Sequence, residues 1–184
     1  MNKSLKNLKI KNFECLLLQD VDILLSKNGS EIYECMKDLK NEKLTKKIGL
    51  SIYEFKKLKK IFNKFQFDTI QVPFNVLDQR LVTTGWLKKL KSRKMEVHAR
   101  SIFLQGILLL ESKKLPKKLN YLKKNWHIWE KWLKEKKLNP LQVCLSFVSK
   151  YKNLDGIVIG QNSLEQFQQI MKLKLIKKNF ILPK

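Results

Sequence analysis

The sequence predicts an α/β protein in which a parallel sheet is covered by helices. Short runs rich in leucine or β-branched residues alternate with longer stretches whose apolar residues recur at helical spacing, and the alternation repeats along the chain. Hydrophobic residues make up 43% of the 184, enough to form a core, and no internal repeat or domain boundary is visible. A single domain over residues 1–184 is therefore expected.

The first half of the chain predicts three strands, each followed by a helix. The strands are expected over residues 13–18, 47–51 and 68–72. Asn28 and Glu31 have capping-box spacing at the start of the first helix. The apolar faces of the three helices are carried by Ile32, Met36 and Leu39, by Phe55, Leu58, Ile61, Phe62 and Phe65, and by Leu81, Trp86, Leu87 and Leu90.

The second half predicts two further strands, over residues 95–103 and 156–160, separated by a long connection and two helices. The connection runs from Gln105 to about Lys124, and Pro140 suits the first position of the second helix. A row of tryptophans at helical spacing is interpreted as facing the core rather than as a platform for nucleotides. The helical residues are Trp126, Trp129, Trp132 and Leu133, then Leu141, Cys144, Leu145 and Val148, and after the last strand Leu164, Phe167, Ile170, Met171 and Leu175.

The charge of the chain suggests nucleic-acid binding, but the type of basic residue argues against it. There are 39 basic and 16 acidic residues, giving a net charge of +23. Only three of the basic residues are arginine, whereas recognition of bases and phosphates favours the bidentate guanidinium. The lysines are spread along every helix-like segment, as on a solvated surface. We expect salt-sensitive association with polyanions but no specific nucleic-acid partner.

Membrane and metal partners are also not expected. No apolar run approaches the roughly 18 to 20 residues that span a bilayer, and the N-terminus lacks the pattern of a signal peptide, so a cytoplasmic location is expected. Cys15, Cys35 and Cys144 are widely spaced among apolar neighbours and are interpreted as reduced core residues. His98 and His127 do not stand at ligand spacing from them, so no metal site is predicted.

Six sequence strings occur in a fixed order over nearly the whole chain. They are SLKNL followed by ECLLLQD (4–20), KKIGLSIY (46–53), IQVPFNVLDQRL (70–81), VHARSIFLQGILL (97–109), LNPLQVCLSFV (138–148) and IVIGQNSLEQF (157–167). Together they resemble the aldo/keto reductase family, whose members fold as a (β/α)8 barrel and reduce carbonyls with NADPH. The resemblance begins just before the family's fourth strand. It therefore implies the C-terminal part of that family, an incomplete TIM-type barrel of about five parallel strands with covering helices.

The resemblance implies a carbonyl or alcohol oxidoreductase that is inactive alone. The family's catalytic Asp, Tyr and Lys lie on the portion that has no counterpart here, and the family's catalytic His matches Gln19. A glutamine can donate a hydrogen bond to a substrate carbonyl, but it does not titrate. Tyr53 is interpreted as a residue of a first helical turn rather than as a replacement acid.

The resemblance also implies an NADP site. Its implied contacts are Ser51 and Gln71 with the nicotinamide amide, Ser101, Leu104 and Gly106 with the pyrophosphate, and Gly160, Gln161, Ser163, Gln166 and Gln169 with the adenosine and its phosphate. Ile52 and Arg100 depart from the family pattern, in place of an Asn and a stacking aromatic. Ser163 with Gln166, and Ser51 with Glu54, have capping-box spacing, so an ordinary helix cap accounts for them without a ligand.

Five parallel strands leave two unpaired sheet edges, which invite pairing with other strands. The missing strands could come from a second chain, two copies could associate, or the chain could be a fragment or remnant of a full reductase. The function expected is thus that of an aldo/keto reductase, with a small carbonyl substrate if the protein is active. The alternative is a non-catalytic NADP-binding or protein-interaction module on a partial barrel.

Overall fold

The computed structural model describes residues 1–176 and 180–183 and contains a five-stranded sheet. Strand order follows sequence order: β1 (Phe13–Leu18), β2 (Thr45–Ser51), β3 (Thr69–Pro73), β4 (Glu96–Arg100) and β5 (Gly156–Ile157). β1 pairs in parallel with β2, and β2 with β3. Backbone bonds from Glu96 N to Asp68 O and from Phe74 N to Arg100 O continue this direction into β4. The predicted α/β class and its parallel strands are confirmed.

Helices connect the strands and cover the sheet, as parallel connections require. The α-helices are α1 (Asn2–Leu8), α2 (Gly29–Asn41), α3 (Leu58–Phe62), α4 (Arg80–Thr83), α5 (Trp86–Ser92), α6 (Lys123–Glu135), α7 (Pro140–Ser149) and α8 (Leu164–Lys172). Short 3-10 turns occupy Val21–Leu25 and, within the predicted long connection, Ile107–Leu109, Ser112–Lys114 and Lys117–Leu122.

Several predicted boundaries differ from the structure. The apolar pattern over 55–65 predicts one long helix, but α3 has only five residues. Backbone turns on either side of α3 carry Phe55 and Phe65, and both rings are buried without being helical. The Asn28 capping box is also wrong, since its side chain caps nothing and Ser26 Oγ instead accepts from Asn28 N. β5 spans only two of the five residues expected.

The two faces of the sheet differ in polarity. One face is apolar and at most 3% exposed, and its residues are Ile48, Leu50, Ile70, Val72, Val97 and Ala99. The other face carries half-buried polar groups, among them Lys47, Glu96 and His98. Lys47 Nζ lies 2.8 Å from Glu96 Oε1, and His98 Nε2 lies 3.7 Å from Glu96 Oε2. His98 and Glu96 therefore lie close together on this face of the sheet.

The same lysine–aspartate clamp fixes strand register at the start of β3 and at the start of β5. Asp68 N donates to Ile48 O (2.9 Å), Asp68 Oδ2 accepts from Ile48 N (2.9 Å), and Lys40 Nζ lies 2.7 Å from the carboxylate. Lys40 lies on α2, the helix that precedes the neighbouring strand β2. The corresponding clamp at β5 is formed by Asp155, Val97 and Lys91.

Contacts among the described residues form two compact units. Unit 1 comprises residues 1–73, 80–98 and 153–156, and unit 2 comprises residues 74–79, 99–152 and the described residues from 157 onward. In unit 2, Trp126 and Trp129 are buried and donate from Nε1 to Leu110 O (3.1 Å) and Leu108 O (3.2 Å). The predicted core-facing tryptophan row is confirmed for these two residues, which also fasten the long connection.

The cysteines do not all lie in the core. All three are free; Cys144 is buried, Cys15 is half-buried, and Cys35 is exposed on α2, so the core prediction is wrong for Cys35. Burial raises the pKa of the Cys144 thiol to about 12 and that of Cys15 to about 11. Within the described residues, no helix combines the length and apolarity needed to cross a bilayer. Over the same residues, no group of three or more His, Cys, Asp or Glu side chains could hold a metal ion.

Candidate functional site

Three of the predicted site residues lie together in unit 1, around the carboxyl end of β2. Gln19 directly follows β1, Ser51 ends β2, and Gln71 lies two residues before the end of β3. Ser51 pairs with Gln71 in the sheet register, and Leu18 pairs with Leu50, which places Gln19 beside Ser51. Ligands of open parallel sheets bind at this end of the strands.

The three side chains offer neutral hydrogen-bonding groups. Gln19 is exposed, whereas Ser51 and Gln71 are half-buried. A hydroxyl and two amides can donate and accept at once, which matches the donors and acceptors of a carboxamide such as that of nicotinamide. None of the three is an acid or base that titrates near neutral pH, so this group can bind and orient a ligand but cannot supply a proton.

The loop after β2 does not form the helix cap expected of Ser51 and Glu54. Ser51 is a strand residue, and the next helix begins only at Leu58, so the capping-box interpretation is wrong. Tyr53 is likewise not in a first helical turn but in this loop, with 56% of its surface exposed. Arg80 holds the loop, with Nη1 2.8 Å from Glu54 Oε1 and Nη2 donating to Tyr53 O at 3.2 Å.

In unit 2, the segment after β4 has an unusual backbone. Ser101, Leu104 and Gln105 have φ of 55°, 47° and 55°, in the left-handed region that non-glycine residues rarely adopt, and Gly106 has φ of 85°. Leu104 N donates to Ser101 O at 2.8 Å, which closes the turn. Such strain persists only where surrounding contacts enforce it, and it concentrates at ligand-binding segments.

Asn75 enforces this conformation, and its role is not predicted from the sequence. It is 1% exposed, and its Nδ2 donates to Ser101 O at 3.1 Å. Its Oδ1 accepts from Leu77 N (2.9 Å) and Asp78 N (2.8 Å), so one side chain fixes two loops of unit 2. The available signal is an asparagine two residues after a strand that ends in proline, since asparagine favours such side-chain turns.

Arg100 stands where the resemblance places a stacking aromatic. Its Nη1 donates to Ser101 Oγ at 3.0 Å, so the arginine occupies an acceptor position of that hydroxyl. The hydroxyl proton of Ser101 is left to donate to a ligand oxygen. With Arg100 in place of an aromatic residue, this segment presents to a ligand the hydroxyl of Ser101, oriented by the guanidinium, instead of the face of a ring.

The N-terminus of α8, also in unit 2, is capped as predicted. Ser163 Oγ accepts from Gln166 N at 3.3 Å, and Gln166 Oε1 accepts in return from Asn162 N at 2.8 Å. A Cβ built on Gly160 meets no atom within 4 Å, so the backbone before the helix is open to close approach. Gln161 is exposed beside it, and Gln169 is exposed one turn beyond Gln166. A helix N-terminus presented in this way fits a phosphate group.

Comparison with known proteins points to one family. The model of the aldo/keto reductase family matches residues 1–179. An aldo-keto reductase from Bacillus halodurans, AKR11C1 in its holo form, has a TM-score of 0.71 at 17% identity, with 96% of this chain and 61% of that chain covered. The thermostable aldo-keto reductase Tm1743, solved with the inhibitor epalrestat, has a TM-score of 0.65 at 19% identity, with coverages of 96% and 60%.

A third similar structure is the putative aldo-keto reductase PA4992 from Pseudomonas aeruginosa, with a TM-score of 0.59, 15% identity and coverages of 92% and 53%. A search among curated proteins found no significant match. The chain therefore spans about 53% to 61% of the length of these solved structures. The likeness confirms the predicted partial TIM-type barrel. The narrower prediction, that only the C-terminal part of the family is represented, is not confirmed by a match that covers residues 1–179.

Proposed function

Because the chain belongs to the aldo/keto reductase family, we propose that it is the NADP-binding portion of a carbonyl or alcohol oxidoreductase. One observation carries the proposal. The residues that the resemblance assigns to the cofactor lie at or beyond the carboxyl ends of consecutive parallel strands, except Gln71, which lies in the middle of β3 and pairs with the last residue of β2. That end of the strands is where barrel enzymes bind their ligands.

In this proposal, unit 2 binds the adenosine and phosphate half of the cofactor. Gly160 and Gln161 let the ligand approach the backbone, and the capped turn of Ser163 and Gln166 presents the N-terminus of α8 to the phosphate. Gln169 extends the contact along the helix, and the left-handed segment with Ser101, Leu104 and Gly106 follows the pyrophosphate.

Unit 1 binds the nicotinamide half. Ser51 and Gln71, adjacent in the sheet register, hold the carboxamide, and Gln19 donates an amide hydrogen to the carbonyl oxygen of a small substrate. The bound cofactor supplies the hydride of the reduction. The chain orients both reactants, but the residues of this group provide no general acid.

We further propose that the catalytic acid comes from polypeptide outside this chain, which is inactive alone. The chain spans 61% of the Bacillus halodurans structure, and its five strands leave the outer edges of β1 and β5 for further strands. A second chain that completes the barrel, or a second copy, would supply the missing strands. Carbonyl-dependent oxidation of NADPH should then be absent for the purified chain. It should appear when the polypeptide that supplies the further strands is added.

Fragments of the cofactor test the two halves separately. Titration of the protein with 2′-AMP should show binding that is weakened about tenfold in Ser163→Ala, while nicotinamide mononucleotide is unaffected by that change. Gln71→Ala should show the opposite pattern. Gln168→Ala, at an exposed position of α8 that is not assigned to the cofactor, is the control. The cofactor proposal fails if neither fragment nor NADPH binds, or if both variants weaken both fragments equally.

A second candidate, a non-catalytic module for protein interaction, is favoured by the surface of α8. Leu164, Phe167 and Met171 are exposed by 65%, 43% and 68%, although their spacing predicts a packed face. Sedimentation of the wild type and of Phe167→Asp tests this candidate. A dimer that dissociates in the variant, in a protein without affinity for NADPH, would favour it over the reductase proposal.

A further inference from the structure

Unit 1 contains a cavity of about 630 Å³ that the proposed cofactor site does not use. It lies at the amino ends of the strands, since its wall includes Asp68, directly before β3, and Met95, directly before β4. Ser51, at the carboxyl end of β2, and Gln71, in the middle of β3, are not among the residues that line it. A cavity of this volume falls within the range of pockets for small organic ligands, roughly 300 to 1,000 Å³.

The inner wall of the cavity is apolar and aromatic. Phe62, Phe65 and Phe67 are at most 8% exposed, and Tyr33 packs against two of them, with ring centroids 4.8 Å from Phe65 and 5.5 Å from Phe67. The Tyr33 hydroxyl donates to Gln66 O at 2.9 Å and accepts from Gln66 N at 3.2 Å. Both hydrogen bonds hold the ring, so the wall is formed before any ligand arrives.

The rim of the cavity is cationic. It carries Lys37, Lys40, Arg93 and Lys94, and Asp68 is the one acid among the lining residues. The Asp68 carboxylate is already engaged, because it accepts from Lys40 Nζ at 2.7 Å and from a backbone N–H of β2 at 2.9 Å. Lys37 pairs at 2.9 Å with a glutamate that is not part of the wall.

Arg93 and Lys94 remain without a compensating charge. Among the residues that the structure describes, neither forms an ion pair with an acidic side chain. The Arg93 guanidinium lies 5.1 Å from the centroid of the Phe62 ring, and its Nη1 makes a long contact of 3.5 Å with Phe62 O. Arg93 is an exposed residue that lines the cavity. A planar guanidinium in this position can bind a carboxylate or phosphate through two parallel hydrogen bonds.

We propose that this cavity binds a small organic anion with a flat apolar body, such as an aryl phosphate or aryl carboxylate. The flat body packs against the phenylalanine wall, and the anionic group pairs with Arg93 and Lys94 at the rim. The proposal is independent of the cofactor site, because none of the residues that it uses is assigned to the cofactor.

Phenyl phosphate is the probe. Inorganic phosphate, which has only the anionic group, and phenol, which has only the aromatic ring, are the two comparison ligands. Titrations followed by backbone amide NMR should show phenyl phosphate binding at least tenfold more tightly than either part, with shifts at residues 66–68 and 93–95. The double variant Arg93→Gln/Lys94→Gln should weaken phenyl phosphate at least tenfold. All the altered residues are exposed, and the amide spectrum reports whether each variant keeps its fold.

The matched control is Lys59→Gln/Lys60→Gln, which removes the same charge from exposed positions of α3 that do not line the cavity. It should change the affinity less than twofold. Equal weakening by both double variants would overturn the proposal in favour of general attraction to a basic surface. Absence of binding at millimolar phenyl phosphate, or shifts confined to other segments, would also overturn it. Affinity for NADPH in Arg93→Gln/Lys94→Gln should equal that of the wild type, which separates this test from that of the cofactor site.

Discussion

Replacement of Asp155 by alanine should destabilise the protein by removing the clamp at the start of β5. Asp155 Oδ2 accepts from Val97 N at 2.8 Å, and Lys91 Nζ lies 2.7 and 2.9 Å from the two carboxylate oxygens. Val97 is fully buried, so in the variant its N–H group loses its charged partner in a place where water replaces it poorly.

The magnitude follows from the two contacts. A hydrogen bond to a charged group contributes about 1.5 to 3 kcal/mol, and we take the lower end because the Asp155 side chain is 35% exposed. The pair with Lys91 adds about 0.5 kcal/mol, since screening by solvent reduces ion pairs at such exposure. Asp155→Ala should therefore lower the free energy of unfolding by about 2 kcal/mol at neutral pH.

The loss should depend on pH. Burial raises the pKa of Asp155, but the hydrogen bonds from Lys91 and Val97 outweigh it, so the pKa lies below its ordinary value of 3.8. A carboxyl whose pKa is lowered by folding stabilises the protein above its unfolded-state pKa. That contribution is lost as the pH falls through the folded-state pKa. The difference between wild type and Asp155→Ala should hence be full at pH 7 and shrink below about pH 4.

Urea unfolding followed by circular dichroism, at neutral pH and at successively lower pH, measures both effects. Asp22→Asn is the control, because Asp22 pairs with Lys57 at 2.6 Å with its side chain 59% exposed. It should cost less than about 0.5 kcal/mol. A loss for Asp155→Ala no larger than that of the control, or one that persists unchanged in acid, would refute the role given to the clamp.

Three further variants and one reagent test the packing. Gly49→Ala should cost about 3 kcal/mol or prevent folding, because the added methyl would lie 2.4 Å from a carbonyl oxygen of β3. Gly160→Ala, which meets nothing, should change stability by less than about 1 kcal/mol in the same urea assay; equal effects would contradict the packing. Asn139→Ala should cost about 1 kcal/mol, since its side chain caps α7, and an unchanged urea midpoint would contradict the cap. With a disulfide reagent at pH 8, the exposed Cys35 should react fast and the buried Cys144 only on unfolding, because its pKa is raised to about 12; rapid reaction of Cys144 would contradict its burial.

The strands could be located from the sequence because each is a short apolar run bounded by turn residues. All five exist at the expected places, and the adjacency of Ser51 and Gln71 follows from parallel pairing of two strands whose ends are marked in the sequence. The cap of α8 was also predictable, since Ser163 and Gln166 interact within one turn. Local patterns succeed where the interaction itself is local.

The features that could not be predicted depend on contacts between residues far apart in the sequence. The length of α3 and the exposure of Cys35 depend on what packs against each segment, which apolar spacing does not report. Lys40 and Arg93 look like any of the other 37 basic residues until the fold brings one to Asp68 and the other to the mouth of a cavity. The function of Asn75 is hidden for the same reason, because its partner Ser101 lies 26 residues away.

In each of the two clamps, the aspartate should tolerate substitution less well than the lysine. A lysine lost from a clamp has other lysines close to it in the sequence, since Lys43 follows Lys40 by three residues and Lys88 precedes Lys91 by three, among 36 lysines in all. A lost carboxylate has no such neighbour, because the chain holds only 16 acidic residues and no other flanks either strand start at the clamp position. Exposed residues of this chain can therefore be replaced by lysine at most positions without loss of the fold. Asp68 and Asp155 are the charged residues that folding requires.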